Sequence, residues 1–328
     1  MNEIAYESVF ALYIEKLIAQ KRSIGYKYKC QAEIFKRFDS FCLQKYPGET
    51  SITKEMAEEW SAKSPVEKEG TTRVRATIVS HLAIYMNRLG IKAYVFPTNS
   101  LPKEKKYISY IYSDDELTRL FKQIDNCKYS SIVPFRHLIM PVLFRILYCC
   151  GIRLGEALRL KFGDIDLNNG TLTVLDSKYG NDRIVPMTSA LTEICVDYSE
   201  KVHKLSNFNA YFFSAPSGDR ITDINIYTNF RRFMRRSAIS HGGRGKGPRI
   251  YDFRHTFAVN CLRKMVVEGK DMNAYYPVLK TYMGHSLFKY TAYYLKLTKN
   301  MYPNISAKLE AAFGDLILSP NDGGELDG

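Results

Sequence analysis

The 328-residue sequence predicts a mainly α fold with a small antiparallel β-sheet, an α+β class divided between two domains. Apolar residues recur at helical spacing through the first 95 residues. A stretch bearing prolines and lysines then breaks the pattern. Beyond it, one strand–turn–strand sequence stands among further helices.

The first domain, residues 1–95, reads as four helices. "YESVFALYIEKLIAQ" puts Phe10, Ile14, Leu17 and Ile18 on one face, and "KCQAEIFKRFDSFCLQKY" does the same with Ile34, Phe35, Phe38 and Phe41. In "TKEMAEEWSAK" Thr53 supplies an N-cap and Glu55 an acid in the first turn. "TTRVRATIVSHLAIYMNRLG" ends at Gly90, a natural residue beyond a helix C-terminus. Residues 96–112, with Pro97, Pro102 and the run Lys103, Glu104, Lys105, Lys106, read as an extended basic linker.

The second domain, 113–318, opens with a helix-start signature at Ser113. "PVLFRILYCC" reads as a buried helix, and "GIRLGEALRLKFGDIDL" as a turn and a second helix. "TLTVLDSKYGNDRIVPM" is a hairpin, and "ALTEICVDYSEKVHKL", "DINIYTNFRRFMRRS" and "YDFRHTFAVNCLRKMV" are helices. The tail 319–328 has a disordered composition.

Charge narrows the function. There are 47 Lys+Arg against 34 Asp+Glu, a net +13. Such a surplus is self-repelling unless a polyanion meets it, which makes nucleic acid the first partner to consider over a merely soluble basic surface. Seven cysteines without C-x-x-C or neighbouring histidines suggest reduced thiols, not a zinc site or a disulfide framework. No stretch reaches transmembrane length and the N-terminus does not read as a signal peptide, so a soluble protein of the cytoplasm is expected.

Basic charge is densest between Arg231 and Arg254, where eight Lys/Arg oppose Asp252 alone. Arg231, Arg232, Arg235, Arg236, Arg244, Lys246 and Arg249 are the candidate DNA contacts, on a helix and a glycine-rich loop suited to close approach to phosphates. Three further arrangements carry chemistry. Arg153 follows a glycine turn at a helix start, where a guanidinium and free N–H groups would face an anion. Lys178 sits at the tip of the hairpin. Arg254 lies inside an amphipathic helix and needs a carboxylate or a phosphate to offset its burial. In "KTYMGHSLFKYTAYYLKL" four tyrosines, Tyr282, Tyr290, Tyr293 and Tyr294, crowd the segment around His285.

Taken in order, G-I-R-x-x-E, the hairpin lysine, D-F-R-H-T-F-A and M-G-H-S followed by a tyrosine resemble the tyrosine recombinase (phage integrase, Xer-like) family over residues 113–310. The resemblance implies a helical, SAM-like core-binding domain in front of a catalytic domain, forming a C-shaped clamp on double-stranded DNA. It makes Arg153 and Arg254 the clamp on the scissile phosphate, Lys178 the proton donor to the departing 5′ oxygen, and His285 a hydrogen-bond donor to a phosphate oxygen. The family's nucleophile follows that histidine by nine residues, which is Tyr294. Glu156 matches an acidic position that orders the site, and His255 a packing position. The chain departs from the family at Tyr251, where histidine is usual; a phenol can donate a hydrogen bond but is no acid or base near neutral pH.

The implied activity is a metal- and ATP-independent DNA strand transferase of a mobile element, an integrase or transposase with no cofactor. Two arginines and a histidine supply positive charge to the pentacoordinate transition state, and the sequence has neither an acidic cluster with metal spacing nor a P-loop. The implied partners are duplex DNA, further copies in a tetrameric synapse with the C-terminal helix docking in trans, and accessory recombination proteins. Alternatives are a type IB topoisomerase-like nicking–rejoining enzyme and a catalytically silent DNA-binding homologue.

Overall fold

A computed structural model describes residues 4–65, 67–102, 107–175, 182–203, 207–243 and 247–301, with side chains as far as residue 298. Two units divide the chain, Met1–Lys106 and Tyr107–Gly328. Lys178, Arg244, Lys246, the segment Lys103–Lys106 and everything after residue 301 lie outside the described residues.

Four helices build the first unit: α1 (Ala11–Ser23), α2 (Lys29–Lys45), α3 (Lys54–Ser61) and α4 (Glu69–Arg88). Phe10, Ile14, Phe35, Phe38, Leu82 and Met86 are sealed in its core. On α2 the buried stripe also takes in Ala32 and Cys42, while Ile34 and Phe41 sit at its margin. The Thr53 hydroxyl accepts from the Met56 N–H, and Gly90 at φ 82° turns the chain out of α4. Asp39 is buried on α2, where it accepts the backbone N–H groups of Glu7 and Ser8 and so ties the chain entering α1 to the bundle.

The second unit contains α5 (Asp114–Asp125), α6 (Arg136–Cys149), α7 (Leu154–Ala157), β1 (Ile165–Asp166), β2 (Thr171–Val174), β3 (Arg183–Pro186) and α8 (Ser189–Val202). It continues through α9 (Asp223–Arg236), α10 (Asp252–Val267), α11 (Met272–Tyr282) and α12 (Phe288–Met301). Ser113 and Glu116 form a full capping box on α5. The strands make an antiparallel sheet in the order β1–β2–β3, with Leu172 opposite both Ile165 and Val185. One core gathers Phe144, Phe212, Phe230, Phe233 and Phe253 around α6 and α10. A second gathers Val259, Leu262, Met283, Tyr294 and Leu295 where α10, α11 and α12 meet.

Two expectations change. The helix predicted over 151–167 shrinks to the four residues of α7, because the chain beyond it bonds sideways. Phe162 and Gly163 donate to the carbonyls of Ala210 and Phe208, and Leu160 accepts from Phe212. These cross-chain bonds replace the helical ones and release β1, which turns the expected hairpin into a three-stranded sheet. The other change is α11, an additional helix whose N-cap Asp271 accepts from the Asn273 N–H and which carries Pro277 inside it.

Candidate active site

Helix α10 carries Arg254 into the interior, leaving it 1% exposed. Neither a carboxylate nor solvent receives it. Nη1 donates to the Gly151 carbonyl at 2.6 Å, Nη2 donates to the Met283 carbonyl, and Nη2 lies 3.1 Å from His285 Nε2. Nε is buried with no hydrogen-bond partner. A guanidinium held by two carbonyls keeps its full positive charge and has a donor still to satisfy. Of the two partners expected for Arg254, a carboxylate or a phosphate, no carboxylate is bonded to it, and backbone carbonyls take Nη1 and Nη2. Gly151 permits this at φ 58°, a conformation that favours glycine, and its missing side chain leaves room for the Phe257 ring.

Arg153 is the N-cap residue of α7, and its own backbone N–H is taken up by Glu156. Glu156 Oε2 accepts the Arg153 N–H at 2.9 Å and Oε1 accepts Arg153 Nη1 at 2.7 Å. Tyr251 is a further hydrogen-bonding neighbour of Arg153. Glu156 is itself buried and is also held by Arg183, whose Nη2 donates to Oε2 at 2.9 Å. Burial raises the Glu156 carboxyl, but Arg183, Arg254 and Arg153 outweigh that and hold it down at about 2.

His285 follows the turn between α11 and α12. Its Nε2 faces Arg254, which can only donate, so Nε2 carries the lone pair and Nδ1 carries the hydrogen toward Thr291 Oγ1 at 2.9 Å. Burial, reinforced by Arg254, Arg153 and Arg183, holds the ring down at about 2 and therefore neutral. Tyr294 on α12 is 2% exposed. Its ring stacks on His285 at 5.8 Å and leans on His255 at 5.5 Å. Burial raises its phenol above the usual range, while Arg254 and Arg153 pull it back.

Of the neighbouring tyrosines, Tyr290 also packs against the His285 ring at 6.1 Å, while the other two are engaged elsewhere. Tyr293 donates to Ser109 Oγ at 3.0 Å and accepts the Ser109 N–H at 3.2 Å. Tyr282 stacks on Phe257. His255 packs among Tyr251, Tyr293 and Tyr294, and its burial pushes it down to about 3.

Arg153, Glu156, Tyr251, Arg254, His285 and Tyr294 thus meet from α7, α10, α12 and the turns that precede them. Arg231, Arg232, Arg235 and Arg236 stand on the exposed face of α9, opposite buried Phe230, Phe233 and Met234. Arg249 stacks over the Tyr107 ring at 3.6 Å. Arg183 and Thr291 are additional members of the site. Arg183 could have been found from strand alternation, since it shares the inward face of β3 with buried Val185 while Ile184 points out.

Arg254, whose buried Nε has no hydrogen-bond partner, thus lies beside neutral His285, and the Tyr294 ring stacks on that histidine. Residues 112–301 match the model of the phage integrase family, and the chain belongs to that family. It is 27% identical over 315 residues to y4rB of Sinorhizobium fredii, which carries an integrase/recombinase name; the match covers 94% of this chain and 99% of that protein. The fold is shared with the XerH site-specific recombinase, solved in a post-cleavage complex with its palindromic difH substrate, at 18% identity and TM-score 0.63 over 90% of this chain and 84% of that one. It is shared equally with the Tn1549 transposon integrase, solved with transposon right-end DNA, at 16% identity and TM-score 0.63 over 92% of this chain and all of that one. Among the described residues no helix is long and apolar enough to cross a membrane.

Proposed function

We propose that the chain is a site-specific DNA recombinase of a mobile element, which cleaves and rejoins duplex DNA through a 3′-phosphotyrosyl bond at Tyr294. The observation that carries this reading is the convergence of buried Arg254, neutral His285 and the Tyr294 phenol in one cluster, with Arg254 Nε lacking a partner. A scissile phosphate oxygen is the acceptor that this donor lacks. Arg153 and Arg254 then hold the two non-bridging oxygens as negative charge grows on them. His285 donates a hydrogen bond to a phosphate oxygen once Nε2 has taken up the phenolic proton of Tyr294. Glu156 orients Arg153, and Tyr251 supports the same guanidinium with a further hydrogen bond.

Attack by the Tyr294 oxygen on phosphorus forms the phosphotyrosyl ester as the phenolic proton passes to the lone pair on His285 Nε2, and the released 5′ oxygen takes a proton from Lys178. The ester conserves the bond energy, so rejoining to a second strand needs no ATP. Exposed Arg231, Arg232, Arg235, Arg236 and Arg249, with Arg244 and Lys246, bind the phosphate backbone. Several copies assemble on the DNA, each passing its C-terminal helix to a neighbour, in the cytoplasm at the nucleoid.

The test is a nicked suicide duplex, chosen by binding selection from a randomised library. The wild type is expected to form an adduct that survives denaturation, and Tyr294→Phe to form none. An adduct of normal yield in Tyr294→Phe contradicts the nucleophile assignment. In Tyr251→Phe, cleavage about tenfold slower is expected from the loss of one hydrogen bond to the Arg153 group; an unchanged rate shows that its hydroxyl is dispensable.

A further inference from the structure

We propose that Arg183 is a positioning residue for strand cleavage, aiming Arg153 through Glu156 and His285 through the turn that precedes it. The proposal rests on the roles assigned above to Arg153, His285 and Tyr294.

Arg183 begins β3, and its side chain is 7% exposed. A buried guanidinium is costly unless each of its directions is used. Here Nη2 donates to Glu156 Oε2 at 2.9 Å, Nη1 lies 3.4 Å from Glu156 Oε1, and Nε donates to the Tyr282 carbonyl at 2.8 Å. The turn presses directly on it, since a side chain added at Gly284 (φ 62°) would come within 3.0 Å of Nη1. One planar group therefore binds the carboxylate that steers Arg153 and the backbone that delivers His285.

The same contacts set the charge. Oε1 of Glu156 faces Arg153 Nη1 and Arg183 Nη1, and Oε2 faces the Arg153 N–H and Arg183 Nη2. Two arginines share one carboxylate, so Arg153 is not fully neutralised by it. Without Arg183, Glu156 would turn wholly onto Arg153, cancelling its charge and rotating it away from a phosphate. Because Arg183 has committed both its edges, it acts on the substrate only through these neighbours. A lysine in its place could reach one partner but not both.

The full chain is assayed on the selected suicide duplex, with cleavage measured in a single turnover at saturating protein and affinity measured separately. Arg183→Gln is expected to cleave about 100-fold more slowly, the scale of a misplaced oxyanion donor, while its Kd stays within about threefold. Arg183→Lys is expected to recover only part of that rate. Replacing the scissile phosphate by a methylphosphonate removes one negative charge from the transition state. The Arg183→Gln deficit should then shrink at least tenfold, on the order of the charge stabilisation it has lost. Glu156→Gln combined with Arg183→Gln should be no slower than the slower single variant, since both act through one contact.

Wild-type cleavage by a folded Arg183→Gln, or a deficit that is the same on both substrates, overturns the proposal and leaves Arg183 a structural ion pair. Should Arg183→Gln not fold, the same comparison on Arg183→Lys decides. Absence of an adduct from the wild type overturns the reading of the site, and this proposal with it.

Discussion

Glu156 is buried among three arginines, and they hold its carboxyl at about 2 against an ordinary 4.5. A carboxyl lowered on folding stabilises the fold fully above the unfolded value and loses that contribution as pH falls through the folded one. The window here is about pH 4.5 down to about 2. Urea unfolding should therefore show the stability gap between wild type and Glu156→Gln shrinking by about 1 kcal/mol from pH 6 to pH 3.5. A gap that stays constant contradicts the ion cluster. His285 gives a second residue-level prediction: held near 2, its ring resonances should not shift between pH 5 and pH 8 in the DNA-free protein. A titration near 6.5 would show that Arg254 does not face Nε2 as described. At this scale the sequence named Arg153, Glu156, Arg254, His285 and Tyr294 by motif order, and they do meet. Their bonding was not legible. Which groups serve Arg254 depends on the Gly151 and Met283 carbonyls, and main-chain acceptors have no side-chain signature in a sequence.

Helix α12 presents two adjacent tyrosines with different engagements, and the bonds of Tyr293 to Ser109 fix its rotation. Tyr293→Phe should lose about 1 kcal/mol of stability yet still form the DNA adduct; loss of the adduct with the fold intact would move the nucleophile to Tyr293. The turn between α6 and α7 is equally specific. Gly151→Ala would place Cβ 2.3 Å from the Phe257 ring at a positive φ, so a loss of at least about 2 kcal/mol is expected in thermal or urea melts. An unchanged melting point contradicts that packing. Helices with strong caps or clean apolar faces, such as α5 and α1, could be read directly from sequence. The segment after α7 could not, since its helical spacing loses to bonds made with residues 208–212, which lie far along the chain. Helix α11 was hidden by Pro277, an interior residue that argues locally against a helix.

Across the whole molecule the +13 charge and the exposed arginines of α9 belong to the same account. Binding to the selected duplex should weaken steeply between 50 and 200 mM salt, by about 10³-fold or more if six phosphates are contacted. Changing Arg231, Arg232, Arg235 and Arg236 together to alanine should flatten the log–log salt slope by about 3 to 4. A slope equal to that of the wild type would remove α9 from the DNA interface. Deleting residues 1–95 should abolish site-specific binding, and retained specificity would confine recognition to the second unit. The proposed recombination depends on the bond formed at Tyr294. The most direct measurement is protease and nuclease digestion of the trapped adduct, followed by mass spectrometry of the peptides around His285. A nucleotide remnant attached to Tyr294 alone is expected; a remnant on Tyr293, on Tyr290, or on no tyrosine of this segment would contradict the assignment of Tyr294 as nucleophile.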